Sequence, residues 1–347
     1  MTQPKHVLVV KTSSMGDVIH TLPALTDATA TIPSIRFDWV VEESFSEIPG
    51  WHPAVDQVIP VAVRRWRKSL IQTWRSGEWQ QFKKRIGASN YDAVIDAQGL
   101  LKSAFLTGKA NGPRFGLDKH SAREPIASRF YQFPQPVALE QHAVERVRQL
   151  FANSLAYVLP KTPGQFLLNK DKFPKNLVNK KPYVVFIHGT TWPTKHWPEN
   201  YWCELAQHVN QAGFHVVLPW GNNNEKARAE RIASASSQAI VLPKLSLAEV
   251  AGVICEAQAA VAVDTGLGHL TAALEIPAVS LYGPTSPVKV GAYGTGQKHL
   301  TLEQCPTGDF PVTDPEIFAP MTPTFVWQAL EPKITQLQAV HNNEAVQ

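Results

Sequence analysis

The chain has 347 residues, enough for two domains of ordinary size, and a formal net charge of +4, too small to argue for nucleic acid. Its three cysteines, Cys203, Cys255 and Cys305, form no Cys-x-x-Cys pair, so they indicate neither a disulfide framework nor a zinc site and fit a reducing cytoplasm. No apolar run approaches the ~18 residues of a spanning helix and no signal-peptide core opens the chain, so a soluble or peripheral protein is expected.

Residues 7–10 are apolar and β-branched, as in a buried strand. Residues 11–17 are turn formers, and a helix begins near Val18. Further strands are expected at 35–41, 55–63 and 91–96, the last ending in Ala97-Gln98-Gly99. Strands alternating with helical stretches indicate a parallel α/β sheet. Residues 160–182, with Pro160, Pro163, Gly164, Pro174 and Pro182 among lysines and asparagines, read as a linker. This sets an N-terminal domain over 1–165 and a C-terminal domain over 180–319. The second domain restarts with strands at 183–187, 214–218, 239–242, 259–263 and 278–282, and a final helix covers 324–338.

The stretch 259–284 organises the second half. Residues 259–263 suit a strand buried on both faces. Asp264 ends it, Thr265-Gly266 turns, and 267–275 reads as a short helix with Leu267, Leu270, Thr271 and Leu274 on one face. Thr265 and Gly266 then sit at a helix N-terminus on the C-terminal edge of a sheet. Unpaired N–H groups and the helix dipole favour a phosphate there. His269 lies within one turn. A packed βα unit with an ordinary surface turn would show the same pattern. Gly266-x-Gly268 lacks the third glycine of the dinucleotide fingerprint, which counts against a nucleotide-binding dehydrogenase.

Other residues carry two readings each. Asp17 could cap the helix that follows it, or face the cleft as a carboxylate base. Arg64-Arg65-Trp66-Arg67-Lys68 opens a stretch, 64–85, with eight Lys/Arg against one Glu. It suits a solvated basic helix or, with Trp66, Trp74 and Trp79 interleaved, contact with an anionic lipid surface. Thr190 and Thr191 end a strand, and Lys195 follows. Hydroxyls, N–H groups and a cation there can hold phosphate and neutralise a departing diphosphate, or Lys195 simply starts a surface helix. Glu225 could hold ribose hydroxyls or open a solvated helix. No Asp-x-Asp, His-Glu-x-x-His, P-loop or Gly-x-Ser-x-Gly occurs, so neither metal nor cofactor is expected.

Asp264-Thr-Gly-Leu-Gly-His269-Leu-Thr-Ala-Ala, followed by Leu281-Tyr-Gly-Pro-Thr285, closely resembles the ADP-heptose:lipopolysaccharide heptosyltransferases of glycosyltransferase family 9. So does Lys11-Thr-Ser-Ser-Met-Gly-Asp17-Val-Ile-His-Thr-Leu-Pro-Ala-Leu25. The resemblance covers most of the chain and is weakest at 160–180 and after 300. It implies a GT-B fold, two Rossmann-like domains facing a cleft, with the last helix (320–347) packed back on the N-terminal domain. It implies inverting transfer of heptose from ADP-heptose to the inner Kdo of Kdo2-lipid A, without metal, at the cytoplasmic face of the inner membrane. Asp17 would be the base and Lys195 would aid departure of ADP. Thr190, Thr191, Lys195, Glu225, Leu245, Asp264, Thr265, Gly266 and His269 would bind the donor, with Leu245 on the adenine and Asp264 on heptose hydroxyls. Arg64, Arg65, Trp66, Arg67, Lys68, Arg123 and His142 would lie on the acceptor side. Gly189 stands where the family pattern has Ala. Two other readings stay open: a relative with the same donor and a heptose acceptor, and a non-catalytic protein that binds nucleotide or anionic lipid.

Overall fold

The computed structural model describes residues 5–69, 73 and 75–344, the stretch 336–344 by backbone alone. The chain divides into two units between Asn169 and Lys170, inside the expected linker. In the first unit, β1 (His6–Val10), β2 (Arg36–Glu42), β3 (Val55–Val61), β4 (Ala93–Asp96), β5 (Arg114–Leu117) and β6 (Phe133–Gln135) form one sheet. Its order is β3-β2-β1-β4-β5-β6 and every pair is parallel. In the second unit, β7 (Tyr183–Ile187), β8 (His215–Leu218), β9 (Ala239–Val241), β10 (Ala259–Val263), β11 (Ala278–Tyr282) and β12 (Gln297–Thr301) do the same. That order, β12-β11-β10-β7-β8-β9, is again parallel throughout and repeats the first sheet's winding. Both have the Rossmann order, and the direction of winding reverses between β1 and β4 and between β7 and β10.

The α/β expectation therefore holds in both halves, with three strands added. β5, β6 and β12 are short or polar and lie toward the sheet edges. Pro134 inside β6 is tolerated at an edge and hides the strand from a pattern search. The strands next to the reversal points, β1, β7 and β10, are apolar and almost fully buried because helices cover both faces.

The stretch 160–182 is more packed than its composition implies. Phe166, Phe173 and Val178 are buried. Asn169 N–H donates to Trp51 O at 2.9 Å in the first unit, and Asn176 N–H to the Glu256 carboxylate at 3.0 Å in the second.

The final helix, Pro323–Glu344, is rooted in the second unit. Its Val326, Leu330 and Ile334 are buried in the second unit's own core, with Trp202, Leu205 and Leu281. Their spacing of four makes one apolar stripe, and a sheet face of the same unit needs that cover. The chain leading in is tied to the same unit: Trp197 Nε1–H donates to Met321 O and Tyr201 O–H to Ala319 O, both at 2.9 Å.

Candidate active site

In an open α/β sheet, ligands bind beyond the carboxyl ends of the strands where the winding reverses. In the second unit that point is the β7/β10 pair. β10 ends at Asp264, and Thr265 opens the helix Gly266–Ala273 with extended backbone. A Cβ on Gly268 would lie 3.3 Å from Ala262 Cβ, so this glycine lets the helix lie close against β10. Asp264 is the hub. Lys195 Nζ donates to its Oδ2 at 2.5 Å, Thr285 Oγ1 donates to the same oxygen at 2.9 Å, and Thr190 Oγ1 donates to its backbone O at 3.2 Å. The Lys195–Asp264 pair is largely shielded from solvent, with side-chain exposures of 21% and 11%. Lys195 ends the single turn Pro193–Lys195, so it is neither a long helix's first residue nor a loose surface cation. Thr191 is exposed beside it, and His269 is half-buried on the helix.

Glu225 opens a helix, as one of its readings has it. It lies in the first turn of the helix Asn223–Ser234, where its N–H donates to the Asn222 cap at 3.0 Å. Its carboxylate accepts from Gly221 N–H at 2.6 Å and Asn222 Nδ2 at 2.8 Å. A Cβ on residue 189 would lie 2.8 Å from Glu225 Cδ, so Gly189 gives this carboxylate room over the end of β7. Leu245 is half-buried in the loop after β9. From β10 through β7 and β8 to β9 is three strand spacings, roughly 14 Å at ~4.8 Å each, a span suited to a nucleoside diphosphate laid across the sheet edge.

His188, which opens the loop after β7, is fully buried. Burial, then the Arg228 and His196 charges, push its pKa from 6.5 down to about 4. Between those values the unfolded chain binds a proton that the folded chain does not, so stability falls as pH drops through that window. Urea unfolding at about pH 7 and about pH 5 should show the loss, and His188→Asn should reduce it without abolishing it, because His52, also pushed down to about 4 by burial, contributes in the same window. An equal slope in both proteins would contradict the assignment.

In the first unit the reversal lies at β1/β4. Gln98, just past β4, clamps the loop after β1: its Oε1 accepts from Thr12 N–H and Oγ1 at 2.8 and 2.7 Å, and its Nε2 donates to Ser13 O at 2.9 Å. Asp17 sits in the short helix Met15–Ile19, whose cap is Ser14, so the helix starts three residues earlier than expected. The Asp17 Oδ2 accepts from Ser14 N–H and Ser14 Oγ–H, both at 2.8 Å, and Lys11 Nζ stands 3.8 Å from Oδ1. The side chain keeps 42% exposure. Asp17 is thus the third residue of a reciprocal capping box, not the cap itself, and its carboxylate is oriented and open to solvent.

The acceptor-side residues separate. Trp66 is a core residue, 8% exposed, packed on Phe82, with Nε1–H donating to Glu78 at 2.7 Å. Arg65 is held by two carboxylates, Glu78 at 2.9 Å and Glu43 at 3.1 Å. In the helix Val63–Lys68, Val63 and Trp66 share the face that meets the sheet, while Arg65 stays exposed with its two carboxylate partners. Trp66→Ala should cost about 3–5 kcal/mol of stability, read as a lowered Tm; an unchanged Tm would put Trp66 outside the core. Arg64, Arg67 and Lys68 remain exposed. Arg123 is exposed in the loop after β5. His142 caps the helix Ala143–Leu155, its Nδ1 accepting from Val144 N–H at 3.2 Å, and its ring meets His20 edge-on at 5.3 Å. Trp74 lies outside the described residues.

Sequence reasoning passed over Lys102. It is half-buried at the start of the helix Leu101–Thr107, with Nζ 3.1 Å from Ser13 Oγ. Burial lowers its pKa most; Arg64 and Arg67 lower it further, while Glu42 and Asp17 oppose. These charged neighbours place it among the candidate acceptor and base residues. Among the described residues, no group of three or more His, Cys, Asp or Glu is placed to hold a metal ion.

Comparison with known proteins bears on both units. The profile of glycosyltransferase family 9 (heptosyltransferase) matches residues 79–316. Lipopolysaccharide heptosyltransferase 1 of Pseudomonas aeruginosa is 61% identical over 297 residues, covering 85% of this chain and 83% of that protein. The chain belongs to glycosyltransferase family 9. Lipopolysaccharide heptosyltransferase 1 of Escherichia coli K12 is 52% identical over 84% of this chain and 92% of that protein, against 31% for lipopolysaccharide heptosyltransferase 2 of the same strain. The solved structure of E. coli heptosyltransferase WaaC with ADP superposes with a TM-score of 0.87 at 48% identity, covering 94% of this chain and 99% of that one. The two Rossmann-like sheets are those of a GT-B family 9 heptosyltransferase.

Proposed function

We propose that this family 9 enzyme transfers heptose from ADP-heptose to the inner Kdo of Kdo2-lipid A, with inversion, during assembly of the lipopolysaccharide core. The observation that carries this reading is the 61% identity to a lipopolysaccharide heptosyltransferase 1 over 85% of the chain. The lower identity to a heptosyltransferase 2 favours a Kdo acceptor over a heptose one. A solved relative holds ADP-2-deoxy-2-fluoro heptose, which supports the donor.

The chemistry follows from the two sites. Asp17 takes the proton of the acceptor hydroxyl as its oxygen attacks the anomeric carbon. The bond from that carbon to the β-phosphate oxygen breaks, and ADP leaves with one more negative charge. Lys195, Thr190, Thr191 and the helix N-terminus at Thr265 and Gly266 stabilise that charge. Lys195 is held by Asp264 in the structure, so the diphosphate competes for its ammonium and Asp264 turns to heptose hydroxyls. His269 adds a donor within a turn of the phosphates, Glu225 holds the ribose and Leu245 covers the adenine. The reading requires no metal. It places the enzyme on the cytoplasmic face of the inner membrane as a peripheral protein; no described helix is long and apolar enough to cross a membrane.

Arg64, Arg67, Lys68, Arg123 and His142 serve the acceptor's carboxylates and phosphates. Replacing Arg64, Arg67 and Lys68 by alanine should raise the acceptor KM by about tenfold or more and spare the donor KM. Steady-state kinetics with each substrate varied in turn test this. A rise in the donor KM alone would move the basic run to the other substrate.

A further inference from the structure

Beside the loop that leads to Asp17, the first unit has a groove of about 560 Å³ whose apolar walls the proposed transfer reaction leaves without a use. That volume is in the range of ligand pockets. Its walls include Trp79, Leu101, Phe105 and Leu106, and the charged side chains that line it, Arg67 and Lys102, are both cations. Leu101 and Phe105 lie four apart on one face of the helix Leu101–Thr107 and are 40% and 49% exposed. The Trp79 ring stacks on Phe105 at 5.8 Å and 11°. Lys109 Nζ adds a third cation, 4.5 Å from the centre of the Phe105 ring. Exposed apolar surface of this kind, ringed by charge of one sign, is not explained by the core beneath it.

We propose that this groove is where the protein docks on an anionic bilayer, taking a phospholipid acyl chain against Trp79, Leu101, Phe105 and Leu106. The lipid's phosphate sits at Arg67 and Lys102. The inference rests on the peripheral-membrane part of the proposed function and names the surface responsible. Charge complementarity selects the occupant: the walls offer hydrocarbon contact, and the cations at the groove require an anionic group joined to it. A peptide backbone laid against these walls would leave its polar groups unpaired. Lys102 Nζ also touches Ser13, so the docked lipid would lie beside the candidate acceptor site.

The test uses the full chain and vesicles of phosphatidylcholine with or without phosphatidylglycerol. Leu101→Gln/Phe105→Gln keeps good helix formers at exposed positions, and its thermal unfolding is recorded to confirm the fold. The wild type should bind the anionic vesicles, and the double variant should bind them about tenfold or more weakly. Turnover with a water-soluble, de-acylated acceptor should be unchanged. Vesicles with brominated acyl chains should quench wild-type tryptophan fluorescence, and Trp79→Phe should remove part of that quenching. Equal vesicle binding by wild type and double variant, or quenching indifferent to Trp79, would overturn the groove assignment alone. No vesicle binding by the wild type would overturn the peripheral-membrane reading and the groove together.

Discussion

Asp17→Asn should lower turnover by ~10²–10⁴ while leaving ADP-heptose affinity within about twofold. The amide keeps the size of the side chain and one acceptor for the Ser14 N–H and hydroxyl, so the helix Met15–Ile19 should still form. What it removes is the ability to take a proton. The capping geometry makes this substitution informative: the residue both closes a turn and offers a carboxylate with 42% of its side chain exposed. Rapid-quench turnover and donor titration, made on the same preparation, separate the roles. Equal loss of rate and donor affinity would make Asp17 a folding or binding residue and leave the reaction without its base.

Lys195→Ala should weaken donor binding and lower the rate, the latter by ~10²–10³, because the ammonium is useful before and during cleavage of the bond to ADP. The substitution also strands Asp264 with Thr285 as its side-chain donor. Lys195→Arg retains the charge but not its compact point geometry, and should recover part of the rate. Unchanged donor affinity and rate in Lys195→Ala would remove the residue from the site and undo the assignment of the β7/β10 edge.

Much of this was legible in the sequence for a physical reason. Strands buried on both faces, such as 7–10 and 259–263, must be continuously apolar, and the turns after them must carry whatever meets a ligand. Position put Asp17, Thr190, Lys195 and Asp264 at or near those turns, while the roles expected of them came from the family resemblance. Edge strands have no such signature, and β5, β6 and β12 went unseen. The packing of Trp66 was hidden for a related reason. A short helix set among charges looks solvated, yet Trp66 at three residues from Val63 points into the core and Arg65 meets Glu43 and Glu78, which are distant in sequence. Lys102 and Gln98 had no local mark. Only the fold brings the end of β4 beside the loop after β1, where both side chains meet Ser13. The closing helix had a local signature: its stripe through Val326, Leu330 and Ile334, four apart, serves its own unit's core.

The central claim is tested most directly by ADP release when the purified protein meets ADP-heptose and a de-acylated Kdo-lipid A acceptor in the presence of a chelator. The account predicts release that depends on the acceptor and survives chelation. Tight ADP-heptose binding without release would retain the donor site and contradict the Kdo acceptor. Neither binding nor release would contradict the transferase reading itself.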